Sequence, residues 1–383
     1  MVVNKISIII LLMLAFKAEA QTSALAVSDS LYAVGEYAEA INKLQEIDPQ
    51  TEKTYLKLAK NYAANRQPEI ALENYKKVLR KNPNRVLTAV DYGKLLVKTG
   101  KLHPADSLFN KLSKKYPQNA NFKYQQGLIK EKLKDSTAME YFLFTLGLDT
   151  THQGALYKLA KDKLKNRQYT MAEHFSKQGL RANPNSASLL SILAQTYSSL
   201  KLYKEAIPRY EKLIALGEGT DFIYNKLGFA YYRLGDYKKA IAMYKEALNF
   251  EDRNSATHYT LGKLYALTGN LDKSETHLLM SILIKKQPVD AEFFSLGLTY
   301  KMQEKHKNAL EYFNKALEEN PDHERALYER AVAADNYMAD HEAVIGYYET
   351  YFNRYKSIGN DGMLYRAKTR ISDLKQKIHL AEN

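Results

Sequence analysis

The chain has 383 residues, 45% hydrophobic and 26% charged, which is enough apolar content for a folded core and excludes a disordered chain. It has no cysteine, which excludes disulfides, cysteine-based zinc sites and cysteine nucleophiles. The formal charge of +13 leaves two readings open. One is attraction to acidic peptides, anionic glycans, phosphates or nucleic acid; the other is a lysine-rich surface that is merely well solvated.

Residues 1–20 read as a secretory leader. Lys5 supplies the early positive charge, an apolar run of 11 residues extends from Ile6 to Phe16, and Ala18-Glu19-Ala20 fits the small-x-small cleavage rule. Cleavage there makes Gln21 the first mature residue. The run is too short to span a bilayer, and no later stretch approaches a transmembrane segment. The chain is expected to be exported, periplasmic or secreted, and soluble after cleavage. Export sets nucleic acid aside as a partner.

From residue 21 onward the chain repeats itself. Ala40, Ala71, Ala105, Ala138, Ala172, Ala206, Ala240, Ser274, Ala309 and Ala343 recur at intervals of 31 to 35 residues, most often 34. A second series of small residues, Ala59, Gly93, Gly127, Ala160, Ala194, Gly228, Gly262, Gly297 and Ala331, precedes its partner by 12 residues in every unit but one. In the unit of Gly127 the spacing is 11. Small side chains on two successive helices let their backbones approach, and a larger one would overpack. Pro49, Pro83, Pro117, Pro184 and Pro321 fall just after the second helix, where proline ends a helix. Pro208 differs: it lies inside a second helix, where it is either tolerated near the start or kinks the helix.

The stretch Leu227 to Leu248 states the unit most fully, with Leu227-Gly228, Tyr231, Gly235, Tyr237, Ala240 and Tyr244. Leu261-Gly262 with Tyr265, and Leu296-Gly297 with Tyr300, Ala309 and Phe313, follow it closely. This pattern resembles the tetratricopeptide repeat family over about residues 21–357. The resemblance implies an all-α fold: a right-handed solenoid of about ten helix–turn–helix repeats. The leader and the lysine-rich composition, not the resemblance, make the expected protein an exported bacterial one. The family's first-helix tryptophan is absent. Tyr55, Phe122, Leu156, Leu190, Tyr224, His258, Phe293 and Leu327 stand in its place, and Ala89 underfills it. Residues 358–383 read as a C-terminal capping helix, because Leu364, Ala367, Ile371, Leu374 and Ile378 form one apolar stripe at helical spacing. A membrane-surface or partner-binding helix is the rival reading of that stripe.

Motifs that carry chemistry are lacking. The nine His are dispersed, the glycines are single, and no acids pair at a catalytic spacing. The chain is therefore read as non-catalytic, with no cofactor and no metal. Of the 30 Tyr, Tyr37, Tyr169, Tyr203 and Tyr237 start second helices and Tyr62, Tyr197, Tyr231, Tyr265 and Tyr300 recur in first helices; these nine are read as core packing. Charge is the informative feature. Residues 51–186 hold 26 Lys and Arg against 11 Asp and Glu, whereas residues 301–350 hold 6 against 11.

In the family that the chain resembles, first helices line the concave face. The corresponding stripe places Lys60, Lys94, Lys161 and Lys263 at equivalent positions. Tyr157, Asn225, Phe229, Tyr232 and Tyr259 share the stripe, with Arg233 beside it. The expected ligand is an extended partner segment that is acidic and apolar: lysines meet carboxylates, and aromatics cover apolar side chains. The alternative is an anionic polymer or glycan on the basic N-terminal half. Solvated lysines and inter-repeat packing are the unadorned reading of the same residues.

Overall fold

The computed structural model describes residues 23–286 and 288–382, and every regular element among them is helical. The expected leader at residues 1–20 lies outside the described residues. The chain divides into two compact units, residues 1–184 and 185–383.

Unit 1 holds five helix pairs. They are α1 (23–33) with α2 (Tyr37–Gln45), α3 (Glu52–Ala64) with α4 (Pro68–Lys81), and α5 (Val86–Lys98) with α6 (Leu102–Lys115). Then come α7 (Ala120–Lys132) with α8 (Ala138–Leu148), and α9 (Gln153–Lys165) with α10 (Tyr169–Ala182). Unit 2 holds α11 (Ala187–Ser199) with α12 (Tyr203–Ala215), α13 (Asp221–Arg233) with α14 (Tyr237–Phe250), and α15 (Ser255–Leu267) with α16 (Leu271–Ile284). It continues with α17 (Asp290–Met302) and α18 (His306–Glu319), α19 (Glu324–Tyr337) and α20 (His341–Tyr355), and ends with α21 (Asp361–Glu382). This is an all-α fold of tetratricopeptide-like repeats.

The small-residue series governs the packing. Each member from Ala59 to Ala331 is buried on its first helix. Opposite it, on the second helix, stands a large buried side chain such as Phe109, Phe142, Tyr244 or Phe313. A Cβ added at Gly297 would lie 2.7 Å from two ring carbons of Phe313, and one added at Gly93 would lie 2.7 Å from Phe109. The second-helix series is buried from Ala40 through Ala309. Ala343 is a correction: it is half-exposed, and Val344 takes the fully buried place. The cause is α19, which has 14 residues where the first helices from α3 to α17 have 13, so the last unit slips by one. Phe122 is likewise one place from its assigned position, and Lys123 occupies the tryptophan site. The short unit keeps Ala138 buried by shortening α8, whose first turn is replaced by Asp135 accepting from the Thr137 amide and hydroxyl.

Within each pair but the last, the turn between helices contains one left-handed residue. Gly35, Gly100, Gly235 and Gly269 fill it with glycine, but Arg66, Lys134, Arg167, Lys201 and Glu304 hold φ near 60°. A bond five residues back closes the turn, as from the Asp236 amide to the Tyr231 carbonyl at 3.0 Å. Pro208 sits within a continuous α12 and is exposed, so the carbonyl it leaves unbonded faces water. The first-helix tyrosines Tyr62, Tyr197, Tyr231, Tyr265 and Tyr300 are all buried, as expected of core.

At the end of unit 2, α21 packs on α20 through Ala367 and Leu374, both fully buried. Arg370 on α21 donates to both carboxylate oxygens of Asp335 on α19, at 2.7 and 2.8 Å. The Tyr348 hydroxyl on α20 donates to the same carboxylate at 3.1 Å. One latch thus ties three helices.

Candidate functional site

The face of interest on each first helix lies three residues before, one after and four after the small buried residue. Carrying that register back from Ala40 makes Ser28, which is 1% exposed, the small residue of α1. Asp29 and Tyr32 then share the face with Leu56 and Lys60 of α3 and with Val90 and Lys94 of α5. In unit 1 all of these side chains but Val90 line two open cavities of about 480 and 410 Å³. Tyr32 and Lys60 line both. Lys53, Lys57 and Arg85 contribute to the first cavity, and Lys94, Lys98, Asp91 and Tyr75 to the second.

Some of these charges are already neutralised. Lys57 pairs with Asp29, and Arg85 with Glu52. Lys60, Lys94 and Lys98 make no ion pair among the described residues. Burial, and next the nearby Asp91, pushes the Tyr75 hydroxyl up to about 12, so it stays protonated as a donor at the cavity wall. The structure thus brings Lys60 and Lys94 together around one cavity. Lys161 stands apart on α9, exposed, with its ammonium 5.7 Å from the Tyr157 ring. The charge imbalance is confined to this unit. Residues 23–184 carry 27 Lys and Arg against 16 Asp and Glu, and residues 185–383 carry 27 against 26.

In unit 2 the sequence-designated residues separate into three groups. Asn225 accepts from the Thr257 hydroxyl at 2.9 Å, a bond between α13 and α15 that occupies its side-chain oxygen. Lys263 lies 5.3 Å from the Tyr259 ring, and the Tyr259 hydroxyl accepts from Ser295 at 3.3 Å. Phe229, Tyr232 and Arg233 form the third group. The Phe229 ring is 5.9 Å from Tyr203 and 6.4 Å from Tyr232, and Tyr232 is 6.0 Å from Tyr237. The Arg233 guanidinium lies 5.4 Å from Tyr203 and 5.8 Å from Phe229.

His258 is buried as a packing residue. Its Nδ1 meets His277 Nδ1 at 2.9 Å, and its Nε2 donates to the Asp252 carbonyl at 2.9 Å. Burial, and next the neighbouring His258, lowers the His277 pKa to about 4. Among the described residues no group of three or more metal-ligating side chains converges.

Sequence reasoning missed Asp29, Tyr32, Asp91 and Lys98. The first two were legible by extending the register one unit back past Ala40. Tyr203 and Tyr237 were assigned wholly to packing. Both start second helices, yet their rings also reach the Phe229 cluster.

Sequence profiles described as tetratricopeptide repeat match residues 53–85, 186–253, 231–296 and 291–323. Those segments, in α3–α4 and from α11 to α18, match the tetratricopeptide repeat. Among curated proteins, the chain is 24% identical over 327 residues to tetratricopeptide repeat protein 21B of Xenopus laevis, covering 77% of this chain and 24% of that protein. It is 22% identical over 338 residues to DnaJ homolog subfamily C member 3 of Rattus norvegicus, covering 82% of this chain and 63% of that one. The chain thus spans less than two thirds of the length of these relatives. Among solved structures, YrrB, described as a TPR protein with an unusual peptide-binding site, is 22% identical. It covers 50% of this chain and 97% of its own, with a TM-score of 0.47. The C-terminal part of a TPR repeat-containing protein from Cytophaga hutchinsonii is 19% identical, covers 57% of this chain and 95% of its own, and also has a TM-score of 0.47. Proteins built of such repeats generally mediate protein–protein interaction. Among the described residues no helix is long and apolar enough to cross a membrane.

Proposed function

We propose that this chain is a non-catalytic interaction scaffold of a bacterial cell envelope, exported by the leader at residues 1–20. Its repeats at 21–357, closed by the helix at 358–383, hold an extended acidic and apolar segment of a partner protein against the first-helix faces. One observation carries the reading: among the described residues Lys60 and Lys94 make no ion pair, and they line two cavities that share Tyr32 and Lys60, with Leu56 in the wall of the first. Unpaired ammonium groups beside apolar walls suit a segment that alternates carboxylates with apolar side chains. An exposed Lys–carboxylate pair contributes only about 0–1 kcal/mol, so several must act together with the apolar contacts.

The excess of positive charge in unit 1 also favours a second reading, an anionic polymer or glycan bound there. Salt separates the two. Binding of a polymer falls steeply with salt because counterions are released, by the relation established for nucleic acids. A segment held partly by apolar contacts loses less. The test is to replace Lys60, Lys94 and Lys161 with Glu and measure capture of protein partners from the envelope of the source cell. Loss of a specific protein supports the scaffold; capture unchanged at low salt contradicts it.

A further inference from the structure

We propose that the Tyr203–Phe229–Arg233 cluster in unit 2 is a preorganised oxyanion site that reads an acidic side chain adjacent to an apolar one in the bound segment. The proposal rests on the scaffold reading above and names the ligand chemistry at one place on that face.

Arg233 ends α13, and its guanidinium is applied to the rings of Tyr203, from α12, and Phe229, one turn earlier on α13. The two rings meet edge to face at an interplanar angle of 79°. With its central carbon over the two rings, the guanidinium still has five N–H donors in a planar fork, and that fork matches the two oxygens of a carboxylate. No ion pair or hydrogen bond occupies that fork among the described residues, although Arg233 is exposed. Nearby acids are committed elsewhere: Asp236 pairs with Lys239, and Glu211 accepts from the Tyr231 hydroxyl at 2.5 Å. An unpaired cation held on two rings has lost much of the side-chain freedom that an exposed lysine retains, so the entropic cost of gripping an oxyanion is reduced.

The adjoining surface defines the second half of the ligand. Phe229 is 40% exposed, and its ring continues through Tyr232 to Tyr237. An apolar side chain next to the bound carboxylate would lie on Phe229 and Tyr232. Tyr203 is 8% exposed and acts as a positioning residue: it holds Arg233 without being available for much contact itself.

The test uses the full chain with defined probes. Acetyl-Asp-Phe-amide, its Asn-Phe counterpart and a phosphoserine-Phe counterpart are titrated while the side-chain Nε–H signal of Arg233 is followed by NMR; acetate and inorganic phosphate serve as bare oxyanions. The expected result is a saturable shift of the Arg233 signal with Asp-Phe and a response at least about tenfold weaker with Asn-Phe, the scale set by a bidentate charge-assisted bond. Arg233→Lys keeps the charge but not the planar fork, and loses about tenfold in Asp-Phe affinity. Tyr203→Leu keeps apolar volume, weakens binding and moves the Arg233 signal towards that of a free arginine. Tighter binding of phosphoserine-Phe, or of free phosphate, would reassign the oxyanion as a phosphate and overturn the carboxylate assignment. An Arg233 signal unmoved by all probes would overturn the site. That failure is distinct from failure of the scaffold reading, which depends on partner capture through Lys60, Lys94 and Lys161.

Discussion

The contact between the first-helix small residue and the opposing large side chain makes Gly297→Ala the sharpest test of the packing scheme. The added methyl would lie 2.7 Å from two Phe313 ring carbons and 3.2 Å from a third, against an ordinary contact of at least 3.4 Å. Phe313 is fully buried beneath Leu278, Leu296 and Tyr300, so the ring has no solvent-side space to move into. Overpacking of this kind costs about 1–3 kcal/mol. Alanine recovers about 1 kcal/mol of helix propensity over glycine, so the net destabilisation should be about 0–2 kcal/mol. Repeat arrays open locally, so the suitable assay is native-state hydrogen exchange of α17 and α18 rather than a single global midpoint. Trimming the ring with Phe313→Leu in the Gly297→Ala background should return about 1 kcal/mol of coupling in a double-mutant cycle. If Gly297→Ala raises protection, or if Phe313→Leu gives no coupling, the close approach is not what selects glycine.

The left-handed turns yield the opposite sign: Arg167→Gly and Lys201→Gly should each stabilise by about 0.5–1 kcal/mol, since relief of a 1–2 kcal/mol strain exceeds the added chain entropy. Gly235→Ala should destabilise on the same scale, and thermal shifts of the three variants compare them. The His277 ring has a folded pKa of about 4, below the ordinary 6.5, so its protonation is resisted by the fold. Stability is retained above pH 6.5 and falls as pH drops towards 4, by about 1–2 kcal/mol after allowance for partial solvent exposure. A His277→Phe variant should flatten the pH dependence of α16 protection over that window. Arg370→Met leaves the Asp335 carboxylate, whose side chain is 12% exposed, without its bidentate partner, and should raise exchange in α21 by about 2–3 kcal/mol. Pro208→Ala restores one helical bond in α12 and should stabilise it by about 1–3 kcal/mol.

The fold was largely legible because small residues at a fixed period have one physical meaning: two helices that touch at their backbones. The period located the helix pairs from α3 onward, and the prolines located the ends of second helices. It failed at Ala343 because a one-residue extension of α19 is invisible where Ala331, Val332, Ala333 and Ala334 fill four successive positions. It failed at Phe122 because an aromatic one place away looks like the missing tryptophan. The site was less legible. The face could be counted from the register, which found Lys60, Lys94 and Phe229. Which of its charges remain unpaired depends on contacts between helices some thirty residues apart. Asn225 and Thr257 illustrate this, as do Lys57 and Asp29. The contact of the Arg233 guanidinium with the Tyr203 ring likewise joins α13 to the helix before it, and no spacing rule anticipates it.

The proposed binding depends on where the positive charge lies rather than on its total, and two triple variants separate the two. The triple variant Lys60→Glu, Lys94→Glu, Lys161→Glu alters the first-helix face. Lys76→Glu, Lys111→Glu, Lys114→Glu changes the net charge equally on the exposed surfaces of second helices α4 and α6. Affinity for the protein partner captured from the envelope of the source cell is measured for both. The account predicts a loss of at least about tenfold for the first variant, from three lost attractions that become repulsions, and near-native affinity for the second. Equal losses in the two variants would contradict it and assign the basic unit to unspecific attraction of a polyanion.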